Sequence, residues 1–310
     1  MRKTALTLIT VALAAMFAMF TAPAAANAGP GTDKVSLDAR AAAGVGANAG
    51  IGVQASWYSG TVAAGGTQNW HWNNAPATAA YKVGFSPAGA STSAVCQFEV
   101  VRDWHVQQPG GEREYHFTIK NSGSISCGTQ VLLGGLTAFT SWSTGGVSPG
   151  VTQNWQWNNA NPLNSAHVVG LSPQGATGST ACQFEVVRSW YLKQASGERE
   201  FHFQVKNVGS ITCTADIRLA NTTASTSWTT GTLAAGASGT WHWNNANPLT
   251  LAYLPGLNPS GSSCQLEITR DYYLQRINSG GTAEREYYLT VKNVGSTSCS
   301  GTVLLGSIAT

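Results

Sequence analysis

One period runs through this chain and governs what it can fold into. Trp57, Trp142 and Trp228 are separated by 85 and 86 residues. Asn121, Asn207 and Asn293 follow at steps of 86, and so do Cys127, Cys213 and Cys299. The copies run 50–136, 137–222 and 223–310. No Pro-rich or charged linker divides them, and Leu136-Thr137-Ala138-Phe139-Thr140 leads straight into Trp142. Junctions this short predict modules packed end to end or sharing strands. Whether the three form a rod or close on a threefold axis stays open.

Inside a copy the period is two. Cys96-Gln97-Phe98-Glu99-Val100-Val101-Arg102-Asp103-Trp104 mostly alternates apolar with polar. Pro109-Gly110-Gly111 breaks the run, and Arg113-Glu114-Tyr115-His116-Phe117-Thr118-Ile119 alternates again. Two such runs about a Pro/Gly turn predict a β-hairpin. Gln68–Trp72 and Gln130–Leu133 read as further strands, and no segment keeps a helical period. The expectation is an all-β chain of three tandem antiparallel β-sandwich modules. In the third copy the loop before Cys264 is four residues shorter and the hairpin loop before Glu284 four longer, so length varies only where loops are predicted.

Each copy holds two cysteines: Cys96 and Cys127, Cys182 and Cys213, Cys264 and Cys299. The repeat favours one bridge per copy, each closing a loop of roughly 30 residues and stabilising its module by about 3 kcal/mol in the chain-entropy model. A metal reading fails on the wide spacing, and no cofactor motif is present.

The strand entering an Asn-x-Gly turn recurs as Tyr115-His116-Phe117-Thr118-Ile119-Lys120-Asn121-Ser122-Gly123, Phe201-His202-Phe203-Gln204-Val205-Lys206-Asn207-Val208-Gly209 and Tyr287-Tyr288-Leu289-Thr290-Val291-Lys292-Asn293-Val294-Gly295. This pattern resembles bacterial immunoglobulin-like sandwiches, including CARDB-type adhesion modules, over about a quarter of each copy. The resemblance implies immunoglobulin-like modules. The Trp-x-Trp-Asn-Asn segment is not part of it.

The first residues read as a secretory signal over 1–28. Arg2 and Lys3 precede an apolar run from Ala5 to Phe20, and Ala26-Asn27-Ala28 offers a cleavage site. The chain is therefore expected to be secreted and extracellular, with no membrane insertion. Without Arg2 and Lys3 the net charge falls from +3 to +1, which gives no reason to expect a nucleic-acid partner. Residues 29–49 are rich in Ala and Gly and are expected to be a flexible leader. The run Val35-Ser36-Leu37-Asp38-Ala39-Arg40 could also add as a strand to a sheet edge.

The candidate ligand-binding residues are Trp70, Trp72, Asn73 and Asn74, with Trp155, Trp157, Asn158 and Asn159, and Trp241, Trp243, Asn244 and Asn245. Two residues apart on a strand share a face, so each Trp pair stands side by side. An open pair beside amides would form a shelf for sugar rings; a closed pair would be sandwich core. Glu112-Arg113-Glu114, Glu198-Arg199-Glu200 and Glu284-Arg285-Glu286 raise a glycosidase reading. All nine glutamates fall at repeated positions, as do Arg102, Arg188 and Arg270, which favours cross-strand ion pairs that fix register. No histidine occupies one position in all three copies, and no nucleophile elbow appears. The chain is thus expected not to be an enzyme. The leading expectation is multivalent binding of a cell-surface or extracellular glycan. The alternative is a structural or adaptor subunit of a secreted assembly, docking on another secreted protein through its leader.

Overall fold

The computed structural model describes residues 35–37, 51–160, 163–244, 246 and 249–310. The signal expected over 1–28, and the leader apart from Val35–Leu37, lie outside them. All secondary structure among the described residues is β, and no helix there is long and apolar enough to cross a membrane.

The leader contributes β1 (Val35–Leu37). The first copy follows with β2 (Ile51–Tyr58), β3 (Thr67–Trp72), β4 (Ala79–Ala88), β5 (Cys96–Gln107), β6 (Arg113–Asn121) and β7 (Gly128–Thr137). The second repeats the series as β8 (Thr140–Ser143), β9 (Thr152–Trp157), β10 (Ser165–Gln174), β11 (Cys182–Lys193), β12 (Arg199–Asn207) and β13 (Thr214–Thr223). The third gives β14 (Thr226–Leu233), β15 (Ser238–Trp243), β16 (Leu251–Ser260), β17 (Cys264–Ile277), β18 (Ala283–Asn293) and β19 (Cys299–Ala309).

Each copy builds two antiparallel layers. In the first, β7 pairs with β2 and β4, while β6 pairs with β3 and β5. The alternation on β6 buries Tyr115, Phe117 and Ile119 and leaves His116 and Thr118 facing outward. Phe98 from one layer meets Phe85 from the other at 6.0 Å. The disulfides Cys96–Cys127, Cys182–Cys213 and Cys264–Cys299 pin one layer to the other within each copy. Buried Asn121, Asn207 and Asn293 pin the turns. The Asn207 amide donates to the Val147 and Ile211 carbonyls at 2.7 and 2.8 Å and accepts from the Gly209 N–H at 2.9 Å. This is why the Asn-x-Gly pattern recurs: an amide both donates and accepts, and Gly209 sits where a Cβ would meet the Gln183 nitrogen at 3.2 Å.

The copies close into a ring. The start of β11 pairs with the end of β5 (Cys182 opposite Gln107), the end of β11 with the start of β17 (Lys193 opposite Cys264), and the end of β17 with the start of β5 (Gln275 opposite Cys96). One sheet of ten strands therefore runs through all three copies. A bulge in each long strand, at Val100/Arg102, Val186/Arg188 and Ile268/Arg270, bends it between its two neighbours.

Three further sets of contacts cross between copies. Arg102 pairs with Glu185 (2.9 Å), Arg188 with Glu267 (2.7 Å) and Arg270 with Glu99 (2.5 Å). These ion pairs cross between strands of neighbouring copies, where charges across one hairpin were expected; the hairpin kind is made by Arg276 with Glu284 and Glu286. In the second layer, a Cβ at Gly84 would lie 2.8 Å from Ala252, at Gly170 2.7 Å from Ala80, and at Gly256 2.7 Å from Ala166. The middle arginine of the Glu-Arg-Glu triplets also serves closure. Arg199 is fully buried and donates to the Leu257 carbonyl of the next copy; Arg285 donates to the Phe85 carbonyl of the first. Each guanidinium lies over a tyrosine ring, Tyr191 at 4.5 Å and Tyr273 at 4.6 Å.

Candidate functional site

The Trp-x-Trp strands occupy one sheet-edge position in each copy. Among the described residues β9 pairs only with β12, and β15 only with β18, so each has an edge that no described strand fills. The equivalent strand β3 does not, because β1 lies along it in parallel, Val35 opposite Trp70 and Leu37 opposite Trp72.

The paired indoles point toward the core. Trp70 and Trp72 are 3% and 5% exposed, so the first copy has no open aromatic shelf. Trp155, Trp157, Trp241 and Trp243 pack on the same core but are only half-buried. Each second indole meets a tryptophan of the opposite layer: Trp72 with Trp57 at 5.4 Å, Trp157 with Trp142 at 5.7 Å, Trp243 with Trp228 at 6.5 Å. Exposed Phe139 extends the second group, its ring 5.7 Å from Trp157. Gln68 and Gln153 accept hydrogen bonds from the indoles of Trp70 and Trp155. In the third copy Gly239 stands at the glutamine position, and the Trp241 ring lies over it.

The asparagines diverge in the same way. Asn73 is half-buried and Asn74 exposed, with φ at 55°, in the left-handed region that Asn tolerates better than most residues. Asn158, Asn159 and Asn244 are exposed, and Gln156 donates to Asn158 at 2.8 Å. Asn245 lies outside the described residues. The structure thus gathers half-open indoles and exposed amides at the edges of the second and third copies.

Two other features were not singled out in the sequence. The outer face of the shared sheet carries three ladders of stacked groups. Arg102 lies over Trp104 (4.7 Å), Trp104 stacks on His116 (5.1 Å), and His116 on His71 (5.2 Å). The equivalents are Arg188, Trp190 and His202, and Arg270, Tyr272, Tyr288 and His242. The repeated triplet Arg-x-Trp or Arg-x-Tyr was the signal for them. Rings stacked in this way cover one another's faces, which leaves mainly edges to a ligand.

The second feature is a cavity of about 240 Å³ where the copies meet, lined by Val100, Val186 and Ile268 together with Lys82, Asp103 and Asp271. Lys82 pairs with Asp271 at 2.7 Å, and the Tyr287 and Tyr115 hydroxyls donate to Asp271 and Asp103. Burial pushes the Asp103 carboxyl up to about 6, against the pull of Lys82. Among the described residues, no group of three His, Cys, Asp or Glu side chains could hold a metal.

Set beside known proteins, the chain matches no family model, no curated protein and no solved structure.

Proposed function

We propose that this chain is a secreted, non-catalytic repeat protein whose immunoglobulin-like modules bind a cell-surface or extracellular glycan at tryptophan-lined edges. The observation that carries the reading is the half-open state of Trp155 and Trp157, and of Trp241 and Trp243, beside exposed Asn158, Asn159 and Asn244. Part-exposed indole accepts the C–H surface of a sugar, and a neighbouring amide can bond its hydroxyls. Two such edges on one closed ring would gain avidity over either alone, by up to ~10² or more where both reach the same surface. Trp70 and Trp72 would support the fold without touching ligand. A glycan array tests this: binding by the wild type should be lost in the Trp157→Ala, Trp243→Ala double variant while its near-ultraviolet circular dichroism still shows a folded ring. Unchanged sugar binding by that folded variant would refute the reading.

A second reading, an adaptor subunit docking through its leader, is favoured by the pairing of Val35–Leu37 as a strand on β3. Deleting residues 29–49 should then abolish co-purification with other secreted proteins and leave sugar binding intact.

A further inference from the structure

β1 lies parallel to β3 with Val35, Ser36 and Leu37 opposite Trp70, His71 and Trp72. The acceptor sequence Trp-His-Trp recurs as Trp241-His242-Trp243 on β15, and as Trp155-Gln156-Trp157 on β9, each at an edge left free by the described residues. The chain therefore has three near-identical acceptor edges and one leader. Proteins commonly guard free edges with charge, proline or a bulge. Neither β9 (Thr-Gln-Asn-Trp-Gln-Trp) nor β15 (Ser-Gly-Thr-Trp-His-Trp) contains a charged residue or a proline. Each pairs in unbroken register with its one neighbour. The indoles differ in step: buried beside the filled edge, half-open beside the two free ones.

We propose that the free edges of β9 and β15 accept, as an added parallel strand, the Val35–Leu37 segment of a second copy of this chain. The proposal rests on the reading of the leader as a docking strand, and commits it to self-association. Exchange is thermodynamically easy, because a leader moving from its own β3 to a neighbour's β15 leaves and enters the same Trp-His-Trp backbone pairing. The 13 residues between Leu37 and Ile51 can span up to about 45 Å when extended. One leader per three edges leaves every assembly with spare acceptors, so association would grow with concentration rather than stop at a dimer.

The test uses a fluorescein-labelled synthetic peptide of residues 31–41. Native mass spectrometry should find two peptides on the full-length chain, where β3 is filled, and three on a chain lacking residues 31–41. Anisotropy should show at least tenfold weaker binding of the same peptide carrying Val35→Pro and Ser36→Pro, because adjacent N–H groups face opposite sides of a strand and one of the two must face the acceptor. Sedimentation velocity should show concentration-dependent association of the full-length chain that the deletion removes. Absence of bound peptide, equal binding of the proline peptide, or a count that does not rise on deletion would overturn the proposal. Co-purification with other secreted proteins is read separately, so the broader adaptor reading can fail or survive independently.

Discussion

Arg270 in the third copy grips Glu99 in the first through two hydrogen bonds, at 2.5 and 3.1 Å, across 171 residues of sequence. It is one of the contacts, with the pairing of β17 and β5, that turn a row of three copies into a circle. The Arg270 side chain is nearly half exposed, so the pair should contribute modestly, about 0.5–1 kcal/mol. Arg270→Ala and Glu99→Ala should each lower unfolding stability by that amount. The double variant should lose less than the sum, and 0.5 M salt should reproduce part of the loss. Chemical denaturation of the four proteins measures this.

The second layer closes more tightly. A methyl group at Gly170 would sit 2.5 Å from the Ala79 carbonyl oxygen. Gly170→Ala should cost about 2–3 kcal/mol by forcing β10 from its neighbour. Gly110→Ala, whose nearest atom would be a Glu112 side-chain oxygen 3.6 Å away, should stay within about 0.5 kcal/mol of the wild type. Thermal melts of the two variants would separate them.

The first copy lacks one device that the others share. Tyr191 and Tyr273 each accept a backbone N–H, from His167 and Tyr253, and lie under Arg199 and Arg285. The first copy has His105 at this place, its buried Nε2 without a hydrogen-bond partner among the described residues, and the Arg113 Nε is likewise unpartnered there. His105→Tyr should restore the arrangement and stabilise the protein by about 1 kcal/mol. A lower denaturation midpoint in the variant would contradict this.

Acid should loosen the ring. Burial holds His105 and His167 down to about 3, below the value near 6.5 of an unfolded histidine. Between those limits the unfolded chain takes up protons that the folded one refuses, so stability is full above pH 6.5 and falls as pH drops toward 3. Each histidine can contribute at most ~5 kcal/mol to that loss. Asp103 acts in the opposite sense. Its raised value means that its folded-state contribution is full below about pH 4 and is lost as pH rises through 6. Asp103→Asn should therefore steepen the rise of stability between pH 4 and 6, and His167→Phe should flatten it. Urea titrations across that range give both slopes.

Asn207 should tolerate no charge. Asn207→Asp would turn an oxygen toward the Val147 and Ile211 carbonyls in place of the donating amide. The expected cost is about 3 kcal/mol or more at pH 7, with partial recovery in acid as the carboxyl protonates. Equal stability at pH 7 would show that the turn does not depend on this amide.

The hairpins, the cystines within each copy and the Asn-x-Gly turns could be read from local order, because alternation and cysteine spacing act within tens of residues. Closure could not. A repeated Arg and a repeated Glu look the same whether they meet inside one copy or between copies, and only geometry distinguishes the two. The burial of Arg199 and Arg285 was hidden for the same reason: arginine is rarely buried unless its donors are met, and the carbonyls that meet them, Leu257 and Phe85, belong to other copies. The glycines Gly84, Gly170 and Gly256, each inside an otherwise bulky strand, were the available signal of close backbone approach. At the Trp-x-Trp strands the sequence favoured core and left the shelf as the alternative. Among the described residues one of the three edges is occupied by β1 and two are not, a fact that no comparison of the three segments contains.

Circular closure also orders events during synthesis. While only the first two thirds have emerged from the ribosome, the end of β11 and the start of β5 are paired on one side only, because the other side of each waits for β17. A nascent chain is therefore sticky along two strand halves until its last third is made. Pairings so distant along the chain form slowly. Premature termination within the last third would leave molecules whose easiest completion is one another.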